Sequence, residues 1–291
     1  MKASGFNYLM RGGVLRVITD HYGATIQGTL PDEFPIIPTI QQSEYFIDIE
    51  AEFLKKSLGD ILPAAQLSEI RPELNGILFD FQVTHIKLVA TDSFRLAEKT
   101  IFSPQFTTSF PKGFRIIIPL KTAHELTRIF PNQTTIRIHT DPNQVAFSNN
   151  DTQLISRIID GQYPDYEQIV PKKNEIELIL DRKHFKNALK LVGGFSGKLH
   201  EVKLRPREKE QAIEVYSANQ YIGENHYTVP IRARIEHMPE LTFNARYLND
   251  GLESIISEQF IFGINGDARP AFIKAPEDTS FFYLVMPIKN A

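Results

Sequence analysis

The sequence predicts an α+β protein built from a repeated unit, one helix packed on several antiparallel strands. Three observations carry that prediction. A strand, cap and helix grammar recurs four times; the helices carry an apolar stripe suited to covering a sheet; and short β-branched runs bounded by turn residues fill the intervals. The chain has 291 residues, 42% of them hydrophobic. That is enough for more than one core, since a domain usually takes roughly 100–200 residues.

The four segments are YFIDIEAEFLKKSLGDIL, FRIIIPLKTAHELTRIF, IELILDRKHFKNALKLV and LTFNARYLNDGLESII. Asp48, Pro119, Asp181 and Asn244 mark the expected helix starts, where a side-chain oxygen accepts an orphan backbone N–H or a proline forgoes one. Successive markers lie 71, 62 and 63 residues apart. In the third helix Phe185, Ala188, Leu189 and Val192 fall at i, i+3, i+4 and i+7, an apolar stripe for a sheet to cover. Strands are expected in GILFDFQVTHIKLVAT, TTIRIHT, QVAFSNN, AIEVYSA and FIFGING, separated by Asn, Asp, Gly and Pro.

Pairs of units make domains, one over residues 43–172 and one over 173–291, joined through the proline-containing connector GQYPDYEQIVPKKNE. Residues 1–42 are too short for a third. They echo that connector, because YGATIQGTLPDEFPIIP parallels DTQLISRIIDGQYPDYEQIVP: a strand, a small turn, then a Pro-Asp-aromatic element. The expectation is that the chain begins partway through a further domain and keeps its last hairpin and exit linker.

Composition narrows the function. Thirty-two basic against 35 acidic residues give a net charge of −3, so any nucleic-acid contact has to come from a local basic face. Without cysteine, thiolate metal sites, iron–sulfur clusters, disulfides and cysteine nucleophiles are excluded. There is no apolar run of about 18 residues and no signal-peptide pattern at the start, so a soluble, cytoplasmic protein without membrane contact is expected. The histidines, among them His85, His139, His184, His226 and His237, show no metal-ligand spacing. GGFSGKL fails as a phosphate loop, with Val192 and Leu199 where Gly and Ser or Thr are needed, and reads as the Gly-rich end of a helix. Thr91 and Asp92 read as turn chemistry, with hydrolysis through Asp92 the competing reading. No cofactor, metal or catalytic group is expected.

The stretches ELNGILFDFQVTHIKLVATDSFRLAEKT, DGQYPDYEQIVP, FNARYL and FYLVMPI together resemble the beta subunits of bacterial DNA polymerase III, the sliding clamps, over residues 14–288. The resemblance implies the DNA-clamp fold and a non-catalytic processivity factor of DNA replication. In that family two three-domain subunits close head to tail as a ring around duplex DNA. It also implies a pocket where short linear motifs of the polymerase III catalytic subunit, clamp loader and repair proteins dock. Carried over by position, that pocket takes Arg71, Leu74, Thr91, Ser93, Phe94, Arg95, Leu96, Pro164, Gln168 and Ile169 from the middle domain and connector. From the last domain it takes Leu199, Asn244, Tyr247, Leu284, Met286, Pro287 and Ile288. Leu74, Leu96, Ile169, Leu284 and Met286 would form an apolar socket for Leu or Phe anchors, with Asn244, Arg71 and Arg95 near its rim.

In a ring, the cationic helix faces would line the hole and meet phosphates without reading bases. Arg182, Lys183, Lys186 and Lys190 on the third helix, and Lys121, His124 and Arg128 on the second, are the candidates. The first and fourth helices offer less, since Lys55 and Lys56 are offset by Glu50, Glu52 and Asp60, and Arg246 by Asp250 and Glu253. With most of the first domain missing, the alternative is a two-domain module that binds such peptides without closing a homodimeric ring.

Overall fold

The computed structural model describes residues 7–11, 13–29, 31–33, 40, 44–67, 70–231 and 238–289. The chain forms two compact units, Met1–Thr39 and Ile40–Ala291. In the first, β1 (Asn7–Arg11), β2 (Val14–Ile18) and β3 (Gly23–Gln27) make a three-stranded antiparallel sheet in chain order, followed by a single 3-10 turn at Pro31–Glu33. A hairpin was expected there. The extra strand β1 pairs in full register with β2, Asn7 opposite Ile18 and Arg11 opposite Val14, which satisfies backbone groups that β2 would otherwise leave open. Residues 34–38 of the Pro-Asp-aromatic element, and His237, lie outside the described residues.

The N-terminal half of the second unit runs β4 (Ile47–Glu50), α1 (Ala51–Ile61), β5 (Gly76–Phe81), β6 (His85–Thr91), β7 (Arg95–Phe102), β8 (Phe106–Thr108), β9 (Phe114–Pro119), α2 (Leu120–Ile129), β10 (Thr135–Thr140), β11 (Gln144–Ser148) and β12 (Gln153–Arg157). The C-terminal half repeats the plan with β13 (Ile176–Asp181), α3 (Arg182–Gly193), β14 (Glu201–Arg207), β15 (Ala212–Asn219), β16 (Gly223–Pro230), β17 (Leu241–Asn244), α4 (Ala245–Glu253), β18 (Gln259–Ile264), β19 (Ala271–Lys274) and β20 (Phe281–Val285). The α+β class expected from the repeat is the one observed. Among the described residues, no helix is long and apolar enough to cross a membrane.

Three of the four helix markers act as read. The Asp181 carboxylate accepts from the His184 amide at 2.7 Å, the Asn244 side chain accepts from Arg246 and Tyr247 amides at 2.9 and 3.2 Å, and Pro119 immediately precedes α2. Asp48 is the exception. Ile47 and Ile49 are buried on one face of β4, so the strand continues to Glu50 and the helix starts after it without a side-chain cap. Asp48 instead accepts two hydrogen bonds from Arg137 on β10, at 2.8 and 2.7 Å. The stripe of α3 is buried as expected, and the helix ends at Gly193 and Gly194.

The feature that positions the candidate site is the central sheet. Its order is β13-β18-β19-β20-β7-β6-β5-β9, four strands from each half, flanked by separate sheets β12-β11-β10-β4-β8 and β16-β15-β14-β17. The halves join where β20 pairs antiparallel with β7, Phe281 opposite Lys99 and Val285 opposite Arg95. One face of this sheet carries helices and the main core: α1 lies against β6 and β7, α2 against β5 and β9, and α4 against β20, while α3 packs chiefly on β16 and β15 of the flanking sheet. Gly251 lets α4 approach β20, because a Cβ there would stand 2.5 Å from the buried Tyr283 ring. The other face carries a second, smaller apolar cluster: Leu74, Leu78, Val89, Leu96, Ile117, Tyr163, Tyr166 and Leu284.

Candidate functional site

Successive residues of a strand face opposite ways, so the β7–β20 junction sorts the expected pocket residues onto two faces. Leu96 and Leu284 are cross-strand partners and both belong to the smaller cluster, together with Leu74 from the 3-10 turn Pro72–Leu74. All three are fully buried. They lie beneath the surface rather than on it, and they also knit the two halves together.

Arg95, expected near the rim, is held beside Tyr247, another of the expected pocket residues. It precedes Leu96 in β7 and is directed to the helix face, where its Nε donates to Asp92 Oδ2 at 2.9 Å and its Nη1 donates to Asp250 of α4. Its guanidinium also lies 4.1 Å from the centre of the Tyr247 ring. Asp250 thus pairs with Arg95 across the halves, and Arg246 along the helix also acts on its charge. Burial pushes the Asp250 carboxyl up, and Arg95 opposes that.

The turn between β6 and β7 behaves as its Thr-Asp pair predicted. Asp92 Oδ1 accepts from the Phe94 and Arg95 amides at 2.9 and 3.0 Å, and Thr91 Oγ1 accepts from the Ser93 amide at 3.1 Å while donating to the Arg95 carbonyl at 2.6 Å. These bonds offset the cost of holding Ser93 at φ 76°, of order 1–3 kcal/mol for a non-glycine residue. They also present Phe94 to solvent. Asp92 is fully engaged in this turn, which is a structural role.

The tail after β20 links the two faces. The Met286 amide donates to the Phe94 carbonyl at 2.8 Å and the Ile288 amide to the Thr242 carbonyl at 2.7 Å. Residues 286–288 therefore run from the turn of the N-terminal half to the end of β17, where Asn244 and Tyr247 begin α4. Asn244 Nδ2 donates to the carbonyl of Leu199, whose side chain is exposed. Met286 and Ile288 are half-buried, Pro287 is buried, and Arg71 and Ser93 are exposed.

The connector folds back over the smaller cluster. Tyr163 is buried with its hydroxyl 3.4 Å from the Val89 carbonyl, and Tyr166 opens the 3-10 turn Tyr166–Ile169. Ile169 is 52% exposed at the end of that turn, Gln168 donates to Asp165 at 2.8 Å, and Pro164 is at the surface. The groups that hold this turn down are not among the residues expected from sequence. Tyr166 Oη donates to Glu98 Oε2 at 2.6 Å, and Lys87 Nζ donates to Glu167 Oε1 at 2.9 Å and lies 3.9 Å from Glu98. The available signal was alternation, since Glu98 shares the strand face of Leu96.

The helix face has its own chemistry. On α2, Lys121 and His124 are exposed and Arg128 is mostly exposed, 3.5 Å from Glu125. On α3, Lys183 and Lys190 are exposed and Arg182 is half-buried. Lys186, on the same helix, is half-buried and its ammonium donates to Glu253 Oε1 of α4 at 2.7 Å. A groove of about 640 Å³ lies between α1 and α2, lined by Lys55, Lys56 and His124 among others. Lys55 is tied down there, donating to the Phe130 carbonyl at 3.0 Å and Asn132 Oδ1 at 2.7 Å.

Comparison with known proteins matches residues 48–165 to the DNA polymerase III beta subunit, central domain, and residues 167–289 to the DNA polymerase III beta subunit, C-terminal domain. The chain is 27% identical over 269 residues to the beta sliding clamp of Bacillus subtilis, covering 91% of this chain and 70% of that protein. It is 26% identical over 275 residues to the beta sliding clamp of Staphylococcus aureus, covering 94% and 72%. Its fold superposes on the crystal structure of the Bacillus subtilis DNA polymerase sliding clamp with a TM-score of 0.89 at 24% identity, over 98% of this chain and 75% of that one.

Proposed function

The chain belongs to the DNA polymerase III beta subunit family, and from that premise we propose that it is a sliding clamp, a tether that holds partner proteins on duplex DNA without bond chemistry. The observation that carries the docking half of this reading is the β7–β20 junction. Leu96 and Leu284 face each other there and share a cluster with Leu74; Met286 follows Leu284 by two residues, and Ile169 precedes Val170, which packs on that cluster. A Leu or Phe side chain from a partner's short linear motif would seat against Met286 and Ile169, with that cluster as its floor. The exposed Phe94 and Leu199 would extend the apolar track toward Asn244 and Tyr247. Methionine at the edge suits several related peptides, because its unbranched side chain adapts to different anchors. The partners are the polymerase III catalytic subunit, clamp loader and repair proteins, and one groove serves them in turn through effective concentration.

The DNA half rests on the helix faces. Lys121 and Arg128 on α2, and Arg182, Lys183 and Lys190 on α3, contact phosphates without sequence preference. Lys186 contributes only by exchanging its Glu253 partner for a phosphate. Closure as a head-to-tail homodimer, as in the family, would put these faces around the duplex.

Met286→Ala tests the docking reading. Fluorescence polarisation of a labelled peptide ending in a Leu-Phe pair should show a loss of about 2 kcal/mol, roughly 30-fold in Kd. Binding unchanged by the substitution would remove Met286 from the groove.

A further inference from the structure

The connector turn that carries Ile169 is pinned to the central sheet by a polar cluster that belongs to neither the apolar floor nor the helix face. On the outer face of the sheet, Glu98 stands two residues beyond Leu96 in β7. Its carboxylate accepts from Tyr166 Oη at 2.6 Å and from Thr100 Oγ1 at 3.4 Å, and Lys87 of β6 bridges it to Glu167. Two consecutive residues of one 3-10 turn are therefore held by two adjacent strands. The turn ends at Ile169, and Val170 beyond it packs on the smaller apolar cluster. Burial, then the Glu98 carboxylate, push the Tyr166 phenol far up, so it remains a proton donor. Burial pulls the Lys87 ammonium down, and Glu167 and Glu98 more than offset this, so it remains charged.

We propose that Tyr166, Glu98 and Lys87 are positioning residues for peptide docking, a latch that presents Ile169 as the wall of the groove without itself touching the peptide. This rests on the docking function proposed above. The physical reason is preorganisation. A short connector turn released from the sheet would sample other positions, and a peptide would then lose affinity by the entropy of ordering it on binding.

The test is fluorescence polarisation with the labelled Leu-Phe peptide on the full chain. Tyr166→Phe and Glu98→Ala should each weaken binding about three- to ten-fold, the net worth of one ordinary hydrogen bond, and the double substitution should cost no more than either alone. Glu98→Gln keeps an acceptor for the phenol and should return affinity to within about two-fold of the parent. In an Ile169→Ala background, Tyr166→Phe should change nothing further, a result that a general loss of stability would not produce. Should Tyr166→Phe fail to fold, Lys87→Met, which frees Glu167, replaces it with the same expectation. Additive losses, or a Tyr166→Phe effect that persists without the Ile169 side chain, overturn the latch. A parent chain that binds no peptide removes the docking reading itself. A parent that binds, is weakened by Met286→Ala and is unmoved by Tyr166→Phe removes the latch alone.

Discussion

Arg95→Ala is expected to lower the free energy of unfolding by about 3–5 kcal/mol, the cost of removing one partner from a largely buried charge cluster. The Arg95 side chain is 10% exposed and that of Asp92 3%, so the substitution leaves a carboxylate that water cannot reach with only its turn amides as partners. It also cuts the link to Asp250 on α4 and removes a cation from the Tyr247 face, two contacts that join the halves. Urea denaturation followed by circular dichroism measures the effect. Arg95→Lys should recover only part of the loss, because an ammonium cannot match the planar fork that reaches both carboxylates. A loss below about 1 kcal/mol would mean that the cluster is solvated and the junction is held by the sheet alone.

Leu284→Ala should cost about 2–5 kcal/mol of stability, the range for truncating a fully buried leucine whose surroundings relax only in part. It should also weaken the Leu-Phe peptide, because the cavity opens under Leu96 and Leu74, directly beneath the proposed anchor site. The two losses are expected together at this position and apart at Met286, which is half-buried and contributes less to the fold. Stability lost at Leu284 with affinity unchanged would show that the groove floor lies elsewhere.

Much of the architecture was legible because it depends on local pattern. The Asp181 and Asn244 caps and the stripe Phe185, Ala188, Leu189 and Val192 need only neighbours in sequence, and the structure uses them as read. Asp48 was misread because the strand before α1 continues through Glu50, and a capping residue inside a strand looks no different in sequence from one after it. Leu74, Leu96 and Leu284 could be grouped through resemblance to sliding clamps, but the partners that set their depth could not be read from their own segments. That depth follows from β20 pairing with β7, a contact between residues nearly two hundred positions apart. The same pairing decides that Arg95 faces the helices while Leu96 faces the connector. Glu98, Lys87 and Tyr166 were missed for a related reason: each is unremarkable in its own segment, and only the folded-back connector brings them together.

The central claim, that both halves of the chain build one groove for a partner's apolar peptide, is tested most directly by photo-crosslinking. A Leu-Phe peptide carrying a photoreactive group beside the phenylalanine, irradiated on the chain and mapped by mass spectrometry, should label both sides of the junction. The expected sites are Ile169 or Phe94 from the N-terminal half and connector, and Met286 or Leu199 from the C-terminal half, all suppressed by excess unlabelled peptide. Labelling confined to one half, or scattered and insensitive to competitor, would contradict the account.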